Sequence, residues 1–214
     1  MAAPKTTSSK KTPLTALEKR MAVDGVEFVR FEQSDTHGIS RSKTIPVKHV
    51  RGFAENGLNF LLGQLGFDAQ AGVTPGTGYL EELGFPDSNI RPDLSTYCVL
   101  PWADKTARLL CEPYFTDGRP AMAAPRAVAR KLLNELEAMG YRLFSGFEYE
   151  FYLVNRETLQ PSFPGIQIFA TLRNSFDEPL IYQILRNMSA VGVDIITSNA
   201  EYGPGQMEIN FAPT

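Results

Sequence analysis

The sequence predicts an α+β fold, with a small β-rich N-terminal unit to about Tyr114 and then the beginning of a larger sheet-and-helix domain. Two hairpin patterns come first along the chain, and strands that alternate with helices follow them, which is an element order typical of α+β proteins. The chain has 214 residues, 43% hydrophobic and 21% charged, which is the composition of an ordinary globular protein with a buried core.

Charge and hydropathy argue against two classes of partner. The chain has 21 Lys and Arg against 24 Asp and Glu, a formal net charge of -3, which offers no basic surface for the phosphates of nucleic acid. No apolar run approaches the length that crosses a bilayer, so no membrane partner is expected. Residues 1–12 are polar, and a disordered tail is predicted there rather than a secretory signal.

The first elements are a short helix and a hairpin. Leu14, Leu17 and Met21 recur at helical spacing and predict a helix that ends near Gly25. Residues 26–32 alternate apolar and polar, and residues 40–47 can return as the second strand of a hairpin. Residues 47–55 then predict a short helix, and the Gly-rich residues 57–78 predict mostly irregular structure.

A second hairpin is predicted over residues 96–100 and 107–114. If the chain reverses around residues 103–106, a simple register sets Cys98 opposite Cys111 and Leu100 opposite Leu109. Two cysteines are too few for a disulfide framework, so the expectation is a reduced pair in a cytoplasmic protein, with a bridge as the alternative.

The C-terminal half begins with a well-marked helix over residues 125–139, with Pro125 in its first turn and Gly140 at its end. Its apolar stripe consists of Val128, Leu132, Leu133, Leu136 and Met139. A strand over 141–154 that is interrupted near Ser145, a helix over 177–191, and strands over 193–197 and 206–211 follow. The last strand is expected to leave an unfinished sheet edge after Phe211.

The segment 146–151 carries the first candidate site. Side chains at positions i and i+2 of a strand share a face, so Glu148 and Glu150 point the same way. If that face is buried, two converging carboxylates favour a hard cation such as Mg²⁺ or Mn²⁺ between them. The alternative is an ordinary strand with one solvated face, for which glutamate is unexceptional.

The second candidate segment, residues 199–211, places Glu201 and Glu208 on either side of a Gly-Pro-Gly turn. The turn lets the backbone double back, so both carboxylates could reach a common site. Taken alone the pattern is weak, because such turns with flanking glutamates are common on protein surfaces. No phosphate-binding loop, nucleophile elbow or zinc-type Cys/His spacing competes with these two segments.

Together, the E-x-E strand and the later pair of glutamates around a Pro-Gly-Gln turn resemble the metal-binding motifs of glutamine synthetases. The resemblance extends from about Val26 to Phe211 and includes residues 31–46 and 100–112. It implies a β-grasp-like N-terminal domain over residues 13–114 and a partial catalytic domain over residues 115–214. It also implies ATP as a substrate and Mg²⁺ or Mn²⁺ held by the matching residues Glu148, Glu150, Glu201 and Glu208.

Two further implications come from the resemblance alone. Asp35 matches an aspartate that, in active relatives, reaches into a neighbouring subunit's site and helps to bind ammonium, which implies a homo-oligomer. Residues 29–46 and 100–108 most resemble a branch of the family from the vertebrate eye lens that is regarded as non-enzymatic, structural or chaperone-like. That branch implies intermediate-filament proteins as partners.

The chain also departs from the family pattern. Active members carry His just before the glutamate that matches Glu201, where this chain has Ala200. The family's metal-ligating histidine, its nucleotide-contacting arginines and a further metal glutamate belong downstream of Thr214. Two hypotheses follow: an ATP-dependent ligase that joins ammonia or an amine to glutamate, inactive as this truncated chain, or a structural protein without turnover.

Overall fold

The computed structural model describes residues 13–166 and 168–214, and the tail expected over residues 1–12 lies outside them. The described residues form four α-helices and nine β-strands. The helices are α1 (Pro13–Val23), α2 (Val50–Asn56), α3 (Pro125–Ala138) and α4 (Thr171–Ala190). The strands are β1 (Phe28–Ser34), β2 (Ser40–Pro46), β3 (Leu58–Leu61), β4 (Asp87–Pro92), β5 (Cys98–Val99), β6 (Thr106–Tyr114), β7 (Glu148–Tyr152), β8 (Ile195–Ala200) and β9 (Gln206–Phe211).

The chain divides into two compact units, one up to Gly140 and one from Tyr141. The mixture of helices and sheets confirms the predicted α+β class. The expected domain boundary near residue 114 remains a prediction.

The first unit is built on a six-stranded sheet in the order β2-β1-β6-β4-β3, with β5 paired to β6. Strands β1 and β6 are parallel, and the other pairs are antiparallel. Val29, Phe31 and Leu109 have no exposed surface and lie in its core, which α1 covers with Leu14 and Met21. The sheet exists because alternate apolar residues of β1 and β6 share one face and bury it against the helices.

The first hairpin is confirmed, with β1 and β2 paired from Phe28 opposite Pro46 to Ser34 opposite Ser40. The helix over residues 47–55 is also confirmed, as a 3₁₀ turn at Val47–His49 followed by α2. The prediction of mostly irregular structure over 57–78 is wrong at its start, where β3 pairs with β4. Strand β3 alternates between buried and exposed residues, but its four residues are too short a run to indicate a strand, and its partner lies some thirty residues further along the chain.

The predicted register of the second hairpin is wrong. Cys98 lies opposite Arg108, not Cys111, and both cysteines are free thiols. The reversal uses two successive tight turns, in which the N–H of Ala103 bonds to Leu100 and the N–H of Thr106 bonds to Ala103. The tighter loop moves the pairing by three positions, so the two thiols are not opposed.

Helix α3 has the predicted bounds to within one residue, but its apolar stripe is not buried. Val128 is 40% exposed, Leu132 52% and Met139 69%. At its start, Arg126 bonds to Asp93 at 2.7 Å and to Glu112 at 3.3 Å. Ion pairs therefore join the first turn of α3 to the sheet of the first unit.

The second unit is a three-stranded antiparallel sheet in the order β7-β9-β8, with α4 against one face. Helix α4 begins at Thr171, six residues before the predicted start at residue 177. Pro179 therefore lies inside the helix, where a proline removes one backbone hydrogen bond. Residues 141–147 are not a strand, so the predicted strand over 141–154 is shortened to β7.

The last strand does not itself form an open edge of this sheet. Strand β9 is central, paired with β7 on one side and β8 on the other. Among the residues described, the open edges of this sheet belong to β7 and β8. The same residues contain no helix with the length and apolar character needed to span a membrane.

Candidate functional site

Strand register gives the second unit's sheet one polar face. Glu150 lies directly opposite Glu208 in the β7–β9 pair, and Glu148 lies opposite Asn210. In the β8–β9 pair, Asn199 also lies opposite Glu208. Directly opposed residues share a face, so three of the four glutamates singled out from the sequence project from the same side of the sheet.

Glu201, the fourth, follows the end of β8, where its backbone N–H bonds to the carbonyl of Gln206 at 2.9 Å. Loss of hydration raises the pKa of Glu201, and a hydrogen bond with Glu208 and repulsion from Glu208 and Glu150 raise it further. A side chain whose pKa is raised by both Glu208 and Glu150 lies near these two carboxylates. The Gly-Pro-Gly turn therefore reverses the chain and brings the side chains of Glu201 and Glu208 near each other.

This cluster lacks a basic partner within the described residues. Like charges placed directly opposite each other in an antiparallel pair are destabilising, and Glu150 and Glu208 are such a pair. None of the ion pairs found in residues 13–166 and 168–214 involves any of the four glutamates. The polar face thus concentrates negative charge that no described Arg or Lys balances.

Side-chain amides, which the sequence reasoning did not single out, lie among these carboxylates. The Asn199 amide donates to Glu201 at 2.9 Å, and the Asn210 amide donates to Glu208 at 2.6 Å and to the Thr197 hydroxyl at 2.8 Å. The Gln206 amide donates to Glu150 at 2.5 Å. Along β8 and β9, these amides and the glutamates occupy every second position. This period of two is the sequence signal from which the amides could have been predicted to share the glutamate face.

The opposite face of this sheet is apolar. Ala200 and Met207 are 1% and 2% exposed, and they form a core cluster with Ile181 of α4. Ile209, on the same face, is 2% exposed. Burial of this face against α4 leaves the glutamate face outward, where Glu148 and Glu150 are exposed to solvent. The buried face on which the cation prediction for these two glutamates depended is therefore not observed, and β7 has the solvated face of the alternative.

Asp35 is placed far from solvent in the first unit. Its side chain has no exposed surface, and its Oδ1 accepts the backbone N–H groups of His37 at 2.9 Å and Ile39 at 3.0 Å. Its Oδ2 accepts the Arg41 Nε at 2.9 Å. Burial raises the pKa of Asp35, but the bonds from Arg41, Ile39 and His37 outweigh it and lower the pKa below 3.8. Both oxygens are therefore occupied within the hairpin.

The donor atoms of the glutamate face suit a hard divalent cation. Carboxylate and amide oxygens are the ligands that Mg²⁺ and Mn²⁺ prefer. Asn210 Oδ1 adds a buried acceptor that has no hydrogen-bond partner in the described structure. However, no three His, Cys, Asp or Glu side chains among the described residues lie close enough to hold a metal ion together. The ligand atoms are therefore of the right chemical type for a divalent cation. To bind one, the carboxylates would have to rotate toward one another, or further ligands would have to join them.

Comparison with known proteins defines the class. The family model for the glutamine synthetase catalytic domain matches residues 122–214. The solved structure of a GmaS/ADP complex superposes with a TM-score of 0.77, covering 92% of this chain and 44% of that one at 24% identity, and it has the same fold. The chain belongs to the glutamine synthetase family.

The relatives include proteins named Lengsin and an amine ligase. Human Lengsin is 33% identical over 92% of this chain, and the glutamate–isopropylamine ligase of a Pseudomonas species is 28% identical over 87%. The matched regions cover 39% and 43% of those two proteins. This chain thus spans about two-fifths of the length of the curated relatives that it matches.

Proposed function

We propose that this chain supplies one side of a divalent-cation site of the glutamine synthetase type, and that the family reaction is ATP-dependent ligation of ammonia or an amine to glutamate. The observation that carries the proposal is the glutamate face. Glu150 and Glu208 are directly opposed, Glu201 lies close enough for both to raise its pKa, and no ion pair to these glutamates is found among the described residues. A divalent cation is the species that relieves such a concentration of charge.

Glu148, Glu150, Glu201 and Glu208 are the residues that would hold the cations. A bound divalent cation would neutralise the phosphate oxygens of ATP during phosphoryl transfer. The chain's own contribution is to seat these carboxylates on a sheet whose other face is anchored by Ala200 and Met207. A sheet holds its donors in more precise positions than a loop does.

The matched regions cover about two-fifths of the relatives. We therefore expect that a polypeptide of these 214 residues alone does not catalyse the ligation reaction. Charge stabilisation and geometry act cooperatively, so a partial ligand set loses far more than a proportional share of activity. Formation of γ-glutamyl hydroxamate with Mg²⁺ or Mn²⁺ measures this directly. Clear turnover by the 214-residue polypeptide would refute the expectation.

Cation binding is tested separately from turnover. Titration with Mn²⁺, followed by the electron paramagnetic resonance signal of the free ion, should give saturable binding that Glu150→Gln and Glu208→Gln each weaken at least about tenfold. Glu157→Gln is the matched control, since Glu157 is an exposed glutamate in a turn of the same unit, away from β9. Equal affinities in all four proteins would mean that the glutamate face is not the cation site.

The second candidate is a structural or chaperone-like protein without turnover. The similarity to Lengsin favours it. On this proposal the protein works as a cytoplasmic homo-oligomer, with intermediate-filament proteins as partners. Suppression of the aggregation of a heated client protein, with no dependence on Mn²⁺ and no change in Glu150→Gln, would favour this candidate over the first.

A further inference from the structure

Gln206 connects the turn of the glutamate face to one of its carboxylates. Its Nε2 donates to Glu150 Oε2 at 2.5 Å, across from β9 to β7. Its Oε1 accepts the backbone N–H of Gly203 at 2.8 Å and the Tyr152 hydroxyl at 3.2 Å. Only one orientation of the amide satisfies these contacts, because a carboxylate can only accept while the N–H and the hydroxyl donate.

The backbone around Gln206 is shaped to admit it. A Cβ atom at Gly203 would lie 2.8 Å from Gln206 Oε1 and 2.7 Å from the Tyr152 hydroxyl oxygen, so the ends of both side chains would have to shift. Gly205, in the same turn, has a φ of +73° and would place a Cβ 2.6 Å from the backbone carbonyl oxygen of Leu153, which real side chains do not tolerate. Gly203 thus leaves room for the amide in its present position, and the backbone of the turn requires glycine at position 205.

We propose that Gln206 is a positioning residue, which holds the Glu150 carboxylate in the orientation required for a divalent cation. This inference rests on the proposed function, since it assigns a role toward the same cation. A donor on one carboxylate oxygen fixes the side-chain torsions and leaves the other oxygen, Oε1, for the ion. Gln206 differs from Asn199 and Asn210 in that its carbonyl is itself anchored, by Gly203 and Tyr152.

The decisive variant is Gln206→Met, which keeps the length of the side chain and removes both of its hydrogen-bonding ends. Loss of an outer hydrogen bond of this kind typically costs about 10- to 100-fold in metal affinity. We expect Mn²⁺ affinity to fall at least about tenfold in Gln206→Met, and by a smaller factor in Tyr152→Phe, where the Gly203 N–H still holds the amide. The matched control is Gln183→Met, since Gln183 donates to Asn187 on the exposed surface of α4.

A second readout needs no metal. In the full chain without added cation, the side-chain amide proton resonances of Gln206 should shift in Glu150→Gln, because the charged acceptor is lost. Gln183 resonances should not move. This measurement keeps the inference testable if Gln206→Met fails to fold, and Gly203→Ala, which displaces the amide without altering it, then replaces that variant in the Mn²⁺ titration.

The outcomes separate the two proposals. If Glu150→Gln weakens Mn²⁺ binding while Gln206→Met and Gly203→Ala bind as the unsubstituted chain does, the positioning role is wrong and the cation site stands. If the unsubstituted chain binds no Mn²⁺, the proposed function is overturned, and the positioning role with it. If Gln206→Met and Glu150→Gln weaken binding alike and Gln183→Met does not, both proposals hold.

Discussion

Substitution of Asp35 by Asn separates a structural from a catalytic role for the residue that the family resemblance marks as functional. The asparagine keeps an oxygen for the N–H groups of His37 and Ile39 but turns a donor toward Arg41, which is itself only a donor. The charge-assisted bond from Arg41 contributes about 1.5–3 kcal/mol, and a buried amide left without a partner costs about 1–3 kcal/mol. Because Arg41 is partly exposed and can regain water, we expect a net loss near the low end, about 3 kcal/mol.

Asp68 provides a matched control for this substitution. Its Oδ1 accepts the backbone N–H groups of Gln70 and Gly72, which repeats the spacing of His37 and Ile39 after Asp35. Asp68 is exposed, and no ion pair to it is found among the described residues. Asp68→Asn should therefore cost less than about 0.5 kcal/mol.

Urea denaturation followed by circular dichroism measures both variants. The folded-state pKa of Asp35 is lowered, so its stabilisation is present above its unfolded value of about 3.8 and is lost as the pH falls through the folded value. The gap between the unsubstituted chain and Asp35→Asn should therefore be widest near pH 7 and should shrink below about pH 4. If Asp35→Asn is as stable as Asp68→Asn at pH 7, the carboxylate is not held as described and is free for the role that the family resemblance implies.

Three further predictions concern other parts of the chain. Cys98 should react with a thiol reagent in the folded protein, while Cys111, 2% exposed and with its pKa raised by burial, should react only after unfolding; two thiols of equal reactivity would contradict this. Arg126→Met should destabilise the chain by about 1 kcal/mol at pH 7 in urea titrations. That loss should shrink as the pH falls toward 2, because Asp93 has a pKa of about 2, lowered chiefly by Ser95 and also by Arg126, and is half protonated there; a loss at pH 2 as large as that at pH 7 would refute it. Ala200→His should lower stability by about 1–3 kcal/mol by overpacking and should leave the affinity for Mn²⁺ unchanged. Tighter Mn²⁺ binding in this variant would mean that a side chain at position 200 reaches the glutamate face.

The sequence predicted those features that depend on a local period. Glu148 and Glu150 fall on one face because side chains alternate along any strand. The hairpin of β1 and β2 was predictable because alternating residues flank a turn rich in Asp, Thr, His and Gly. Helix α3 was predictable from Pro125 and Gly140.

Features that depend on chain reversals or on pairing partners were not predictable in the same way. The predicted pairing of Cys98 with Cys111 is wrong because two successive turns shorten the loop between β5 and β6. No residue in that loop indicates how many turns it contains. Strand β3 was missed because its partner β4 lies some thirty residues away. The contact between Gln206 and Glu150 joins residues 56 positions apart, so only the β7–β9 register reveals it.

The position of Ala200 changes what its departure from the family pattern means. Ala200 lies opposite Met207 on the face packed against α4, whereas Asn199 lies opposite Glu208 on the glutamate face. A histidine at position 200 would therefore start from the buried side of the sheet and would have to displace Ile181 or Met207 to be accommodated. The alanine removes nothing from the carboxylate cluster itself, and it matches the small space between β8 and α4. Its presence is thus evidence about the packing of this unit, and we predict that cation binding by the glutamate face does not depend on it.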